Sequence, residues 1–283
     1  MERLNGIIRQ LEAGAPAFGT FSAAEPSAAA ALRGSGYDAV VFEAEHKPWD
    51  APLLRDSMQY LLDRREVHLA ESLTPAVTPI VRVPPNGGER SQWPAKQALD
   101  LGAYGIVWPH VDTVEDARNA VASCRYPSLE RSDADPGGVR GDSPAWAARY
   151  WGVSVAEYYQ RAGVWPLDPD GEVLVVLMIE SVEAIDNLDD MLTEVPGIGL
   201  VMVGEGDLSQ ELGVPRQFEH PAVMAQKERI LEVCASHGVA AGHPHVTEKN
   251  VDEVLQQGYR FLLTAPVVTH PGLVLGRTIA GRA

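Results

Sequence analysis

Short apolar, β-branched runs alternate with helical stretches along most of the chain, and this alternation limits the fold more than any other sequence feature. Eight such runs occur, at residues 16–22, 37–45, 79–84, 104–111, 173–180, 198–203, 239–242 and 260–264. Eight strand–helix units in 283 residues predict a single α/β domain over residues 1–283, a (β/α)8 TIM barrel. The alternative is a doubly wound open sheet, but no G-x-G-x-x-G motif follows the first run, which disfavours its dinucleotide-binding form.

Small polar residues and glycines indicate where several predicted helices begin and end. Thr113, with Asp116 three residues later, predicts a capping box after the fourth run. Ser181 is placed to cap the helix after the fifth run, and Gly238 is typical of a residue just past a helix end.

Residues 128–170 form a predicted insertion before the fifth strand, longer than a minimal barrel requires. Its second half, residues 143–165, is rich in Trp and Tyr and has a helical pattern. Insertions of this length are typical of active-site lids or of contacts between subunits, and the sequence leaves both open.

The chain is acidic, with 23 Lys+Arg against 39 Asp+Glu and a net charge of −16. A charge of this sign predicts that neither nucleic acid nor an anionic membrane is a partner. The two cysteines are too few for a disulfide scaffold or a cysteine zinc site. No signal peptide and no apolar run of ~18 residues is evident, so we expect a cytoplasmic protein.

Polar side chains occur at the predicted carboxyl ends of the strands, where TIM barrels place their active sites. They are Glu43, Glu45 and His46 at the end of the second run, Arg82 in the third, Glu180 at the end of the fifth, Asp207 after the sixth, and His243 and His245 after the seventh. We expect these side chains to lie together at the opening of the barrel formed by the carboxyl ends of its strands, which we call the mouth. Two carboxylates at neighbouring strand ends are typical of a site for Mg²⁺ or Mn²⁺, which prefer oxygen ligands.

Each of these residues also has a structural interpretation. Glu180 and Asp207 are suited to capping the helices that follow them. Arg82, in an otherwise apolar strand, needs an anionic partner, which is either a substrate or a structural ion pair with Glu43 or Glu45. His243 is suited to substrate contact, to a structural role or to metal binding.

The chain resembles the HpcH/HpaI family of class II, metal-dependent pyruvate aldolases. The matching segments are GTFSAAEPSAAAALRGSGYDAVVFEAEH, TPIVRVPPN, ALDLGAYGIVWPHVDTVEDARNAV, CRYP, GVRG, MIESVEAIDNLDDM, GLVMVGEGDLSQELG and the AAG at Ala240. Their combination and order are specific, and they span most of the chain outside the insertions. The resemblance implies a TIM barrel and a homo-oligomer, commonly a hexamer that exchanges its last helix.

The resemblance also implies roles for individual residues. Glu180 and Asp207 match the ligands of a divalent metal ion, which is Mg²⁺, Mn²⁺ or Co²⁺. His46 matches the acid/base histidine, and Arg82 matches the arginine that holds the pyruvate oxygen. The backbone amides of Gly206 and Asp207 match those that bind the pyruvate carboxylate. Asp100 matches an acidic position of the family's active-site or interface region.

Some positions depart from the family pattern. Glu43 replaces the Asp that pairs with the histidine, Met178 replaces a Gln near the substrate, and an HPH sequence containing His243 replaces small apolar residues. These changes leave recognisable the part of the site that would bind the pyruvate enolate. They alter the part that would bind the aldehyde. Because aromatic rings suit large acceptors, we expect Trp151 of the insertion and His243 to influence the choice of aldehyde.

These features predict a metal-dependent aldolase that cleaves or forms 4-hydroxy-2-oxo acids, with pyruvate as the enolate partner and an aldehyde as the other product. No lysine lies in a predicted strand, so a Schiff base is not expected. The alternatives are an oxaloacetate decarboxylase, an acyl-CoA hydroxy-acid lyase, or an inactive barrel that binds 2-oxo acids.

Overall fold

Nine parallel strands form the sheet in the computed structural model, which describes residues 2–84, 92–127, 137–264 and 270–282. They are β1 (Ala17–Ala23), β2 (Ala39–Glu43), β3 (Thr78–Arg82), β4 (Gly105–Trp108), β5 (Val164–Trp165), β6 (Val173–Ile179), β7 (Leu200–Val203), β8 (Ala240–His243) and β9 (Phe261–Thr264). Pairing of β1 with β9 and of β4 with β6 closes eight of them into a barrel. The predicted (β/α)8 fold is therefore confirmed, and β5 is a two-residue addition beside the start of β6.

Thirteen helices lie in the described part of the chain, most of them between successive strands. They are α1 (Gly6–Glu12), α2 (Pro26–Leu32), α3 (Ala51–Leu61), α4 (Arg64–Ala70), α5 (Gln92–Leu101), α6 (Val114–Cys124), α7 (Ala145–Trp151), α8 (Val155–Arg161), α9 (Val182–Glu194), α10 (Glu205–Glu211), α11 (Pro221–His237), α12 (Val251–Gln256) and α13 (Pro271–Ile279). Across these described ranges, no helix is both long and apolar enough to cross a membrane.

The helix boundaries follow the local signals in the sequence. Thr113 and Asp116 form the predicted capping box of α6, and the Ser181 side chain caps α9. Gly238 ends α11 with a left-handed backbone, at φ 66°. All seven residues of β6 are buried because helices cover its outer face while the barrel interior covers the other.

The described part of the insertion packs against the barrel wall. Trp151 of α7 is stacked on Tyr104 with ring centroids 4.5 Å apart, and its indole Nε1 donates to the Gly102 carbonyl at 2.9 Å. Both partners precede β4 and therefore lie at the amino ends of the strands, opposite the carboxyl-end mouth. Trp151, which the sequence predicted to influence the choice of aldehyde, is 1% exposed and lies at the other end of the barrel, so its position gives that prediction no support. Residues 128–136 of the predicted insertion lie outside the described residues.

Candidate active site

Arg82 and Glu43 occupy the last positions of adjacent strands, and the register of β2 and β3 places them side by side. Arg82 donates from Nε to Glu43 Oε2 at 2.8 Å, and its Nη1 lies 3.0 Å from Glu45 Oε2. The ion pair that the sequence left as an alternative is therefore present. The same guanidinium lies 3.7 Å from the Met178 sulfur, which brings Met178 to the same site.

Glu43 also organises the turn that carries His46. Its Oε1 accepts the backbone N–H groups of Glu45 at 2.7 Å and of His46 at 3.1 Å. The expected contact between Glu43 and the histidine is therefore made to the backbone N–H of His46. The imidazole Nε2 of His46 lies 3.6 Å from Glu45 Oε2. The His46 side chain is 65% exposed, so it is open to solvent and to ligands.

Glu180 and Asp207, the two predicted metal ligands, come together with His110. One ligand atom from each of the three side chains lies within 4.8 Å of the others. Glu180 Oε1 accepts the backbone N–H of His110 at 2.7 Å. The absence of a side chain at Gly204 makes room for Glu180, because a Cβ there would overlap its Cβ and Oε2.

The electrostatics of this cluster favour a bound cation. Burial, aided by the nearby carboxylates of Glu45 and Asp207 and opposed by His110, raises the pKa of Glu180 to about 7. Burial likewise raises the pKa of Glu45 although Arg82 is adjacent. The donor set contains carboxylate oxygens and one imidazole, which are ligands of divalent metal ions. The residues present therefore fit a divalent metal.

Gly206 and Asp207 lie in the first turn of α10, next to this cluster. No atom lies within 4 Å of the position that a Cβ would take at Gly206, so the backbone is open on that side. Asp100, by contrast, lies in the last turn of α5, just before β4, and accepts a hydrogen bond from Arg140 at 2.9 Å. Asp100 is therefore at the opposite end of the barrel from the mouth.

His243 does not join the other predicted site residues. Its Nε2 lies 3.1 Å from Lys227 Nζ, and its Nδ1 accepts the backbone N–H of His245 at 3.2 Å. Both ring nitrogens are occupied, and the side chain is 4% exposed. These contacts match the structural role that the sequence left open for His243, because the ring points from β8 toward Lys227 of α11, and they give no support to the expected substrate contact.

His243 belongs to a buried charged cluster that the sequence did not reveal. Glu205 Oε2 lies 2.7 Å from Lys227 Nζ, and Glu205 Oε1 lies 2.6 Å from His245 Nδ1. Burial opposes ionisation of Glu205, but the His245 hydrogen bond and the His243 and Lys227 charges outweigh it and lower the pKa of Glu205 to about 2. Burial lowers the pKa of His243 to about 4. This cluster anchors the start of α10 two residues before Asp207.

Sequence reasoning missed Lys227, Glu205 and His110, and it assigned Glu45 no role beyond an ion pair. His110 is the second residue after β4, so the rule that selected the other strand-end residues applies to it as well. Lys227 has no such signal, because it lies in the middle of α11 on a face that only the packing defines.

The sequence comparisons identify the family to which the chain belongs. Residues 18–265 match the HpcH/HpaI aldolase/citrate lyase family. A hydroxypyruvate/pyruvate aldolase of Roseobacter denitrificans is 32% identical over 263 residues, which cover 93% of this chain and 91% of that protein. A 4-hydroxy-2-oxovalerate aldolase of Rhodococcus jostii is 31% identical over 229 residues, or 81% of this chain and 76% of the relative.

A solved structure shares the architecture along the full length. It is an HpcH/HpaI aldolase/citrate lyase family protein from Burkholderia cenocepacia, with a TM-score of 0.74 and 26% identity. The alignment covers 98% of this chain and 97% of that one. The family and the names of these relatives indicate a lyase of the aldolase type.

Proposed function

Because the chain belongs to the HpcH/HpaI aldolase/citrate lyase family, we propose that it is a metal-dependent aldolase that cleaves or forms 4-hydroxy-2-oxo acids. Pyruvate is the enolate partner, and an aldehyde is the other product. The names of the relatives, which include pyruvate and 4-hydroxy-2-oxovalerate aldolases, support this substrate class. The observation that carries the proposal is the meeting of Glu180, Asp207 and His110 within 4.8 Å at the barrel mouth, beside Arg82.

Glu180 and Asp207 hold the metal ion in this proposal, and Mg²⁺, Mn²⁺ and Co²⁺ are the candidates. When bound, the ion supplies positive charge to the substrate oxygen that becomes the enolate oxygen. The raised pKa of Glu180 supports this role, because a cation beside the buried carboxylates would stabilise their ionised forms.

Arg82 binds the pyruvate oxygen and stabilises the charge that develops on it. Its ion pairs with Glu43 and Glu45 hold the guanidinium at the mouth before substrate arrives. Met178 lies against the same guanidinium and borders the substrate. The backbone amides of Gly206 and Asp207 bind the pyruvate carboxylate, as expected of N–H groups at a helix start.

His46 moves the proton. In cleavage it takes the proton of the C4 hydroxyl, the C3–C4 bond breaks, and the aldehyde leaves. The electron pair of that bond forms the enolate, which is then protonated at C3 to give pyruvate. Glu45, 3.6 Å from the His46 ring, stabilises the protonated imidazole, and Glu43 positions His46 through its backbone.

We further propose that residues 1–283 act as one cytoplasmic aldolase domain and assemble as a homo-oligomer. Three apolar side chains of α13 are exposed in the single chain, at 61% for Val274, 40% for Leu275 and 43% for Ile279. Apolar surface on a terminal helix supports burial against another subunit. Sedimentation of the purified protein measures the assembly directly.

The decisive experiment compares two glutamates that are three residues apart. Exchange of the pyruvate methyl protons in deuterated water reports enolate formation without any aldehyde. We expect wild-type protein to lose exchange on chelation and to regain it with a divalent ion. Glu180→Gln should abolish exchange, whereas Glu183→Gln, at an exposed position of α9, should retain it.

Two results would contradict the proposal. Full exchange after stringent chelation would exclude metal dependence. Trapping of a covalent pyruvate adduct by borohydride would identify a lysine Schiff base instead. Loss of aldol cleavage by roughly 100-fold in His46→Ala, with metal and pyruvate binding retained, would support the assigned proton transfer.

A further inference from the structure

His110 occupies an unusual backbone conformation at the mouth of the barrel. Its φ is 52°, in the left-handed region that few residues other than glycine adopt. This conformation directs the His110 backbone N–H onto Glu180 Oε1 at 2.7 Å and leaves the ring beside the same carboxylate. The imidazole is 39% exposed and therefore accessible from the mouth.

The two ring nitrogens of His110 face two different carboxylates. Nδ1 lies 3.7 Å from Glu180 Oε1, and Nε2 lies 3.4 Å from Glu45 Oε1. Two ligands that are each about 2.1 Å from one ion lie roughly 3–4 Å apart, so the Nδ1 distance fits a shared metal. A metal-binding histidine usually directs its other nitrogen at a carboxylate, and Glu45 is in that position.

Glu45 is itself held in place. Its side chain is 2% exposed, and Arg82 Nη1 lies 3.0 Å from its Oε2. The arrangement therefore runs from Arg82 through Glu45 to the His110 ring and on to the Glu180 and Asp207 pair. A histidine that only faced solvent would not need a buried carboxylate, here Glu45, beside the ring nitrogen that points away from Glu180.

We propose that His110 is a third protein ligand of the metal, through Nδ1, and that it shifts the site's preference from Mg²⁺ toward Co²⁺ and Mn²⁺. This inference rests on the proposed function, because it assumes the ion held by Glu180 and Asp207. Imidazole nitrogen is a good ligand for transition metals and a poor one for Mg²⁺, which prefers oxygen.

The test measures metal binding by calorimetry on metal-free, full-length protein, so that no turnover is required. His110→Asn is the informative variant, because asparagine tolerates the left-handed backbone and keeps the N–H donated to Glu180. His46→Asn is the matched control, since His46 lies at the same mouth and contacts the same Glu45. We expect His110→Asn to weaken Co²⁺ binding by at least ~10-fold, with less than about a twofold effect on Mg²⁺.

A spectroscopic measurement on wild-type protein avoids dependence on a variant. Electron spin-echo modulation of the Mn²⁺-loaded protein should show coupling to a directly bound histidine nitrogen, assigned by ¹⁵N-histidine labelling. The coupling should disappear in His110→Asn and persist in His46→Asn.

The outcomes separate this inference from the proposed function. Failure of wild-type protein to bind either Co²⁺ or Mg²⁺ would refute the metal site and with it the proposed function. Normal metal binding without nitrogen coupling, or an equal loss of Co²⁺ and Mg²⁺ affinity in His110→Asn, would overturn only the assignment of His110.

Discussion

Replacing Lys227 by methionine tests the buried cluster that anchors α10. Lys227 Nζ lies 2.7 Å from Glu205 Oε2, and the two side chains are 8% and 1% exposed. Removing the ammonium leaves a buried carboxylate without its main cation, which typically costs about 3–5 kcal/mol. Glu205 retains its 2.6 Å contact with His245, so we expect the lower end, about 3 kcal/mol, in the free energy of unfolding.

Arg229 provides the matched control on the same helix. Its ion pair with Asp186 is as short, at 2.6 Å, but its two side chains are 46% and 58% exposed. Exposed pairs contribute less than about 1 kcal/mol, so Arg229→Met should change the free energy of unfolding little. Both variants are measured by urea denaturation at pH 7.

A double variant isolates the buried charge. Glu205→Gln combined with Lys227→Met leaves no buried charge in the pair and should be more stable than Lys227→Met alone. Equal losses in Lys227→Met and Arg229→Met would refute the reasoning, because burial would then have no bearing on the energy of the pair. A double variant no more stable than the single one would refute it as well.

Three further predictions follow from the same structure. The contribution of His243 to stability should fall by about 2.5 kcal/mol as the pH decreases from 6.5 to 4, because unfolded His243 takes up a proton there while the buried side chain, with its pKa near 4, does not. The difference between wild-type protein and His243→Leu in urea melts measures this contribution, because the other titrating groups, Glu180 among them, are common to both proteins. Trp151→Ala should reduce the free energy of unfolding by about 3–5 kcal/mol through loss of its stack on Tyr104, and a changed ranking among aldehydes would contradict the placement of Trp151. Gly204→Ala should weaken metal binding measured by calorimetry, because the new Cβ displaces Glu180, and unchanged affinity would show that the carboxylate is not held there.

The features that the sequence predicted correctly are those that local chemistry decides. Strand periodicity, the capping box of Thr113 and the glycine that ends α11 depend on residues a few positions apart. The meeting of Glu180 and Asp207 was also predictable, because parallel strands in a barrel bring their carboxyl ends to one face.

The orientation of individual side chains was decided only by the tertiary structure. Successive residues of a strand point to opposite faces of the sheet. The sequence around His243 does not indicate whether its side chain points into the barrel or toward the surrounding helices. Lys227, sixteen residues earlier, draws the His243 ring into the helix layer. Likewise, the register of β2 and β3 places Glu43 beside Arg82, and the turn after β2 places Glu45 Oε2 3.0 Å from the same guanidinium.

The insertion illustrates the same limit on a larger scale. Its Trp and Tyr residues predicted a large apolar contact, with substrate or with another subunit, whereas the contact that the structure shows is with the barrel. The carbonyl of Gly102 and the face of Tyr104 bind the Trp151 indole, and both belong to residues about fifty positions away. Periodicity and caps are properties of neighbouring residues, whereas the choice of packing partner depends on shapes that exist only once the barrel has closed.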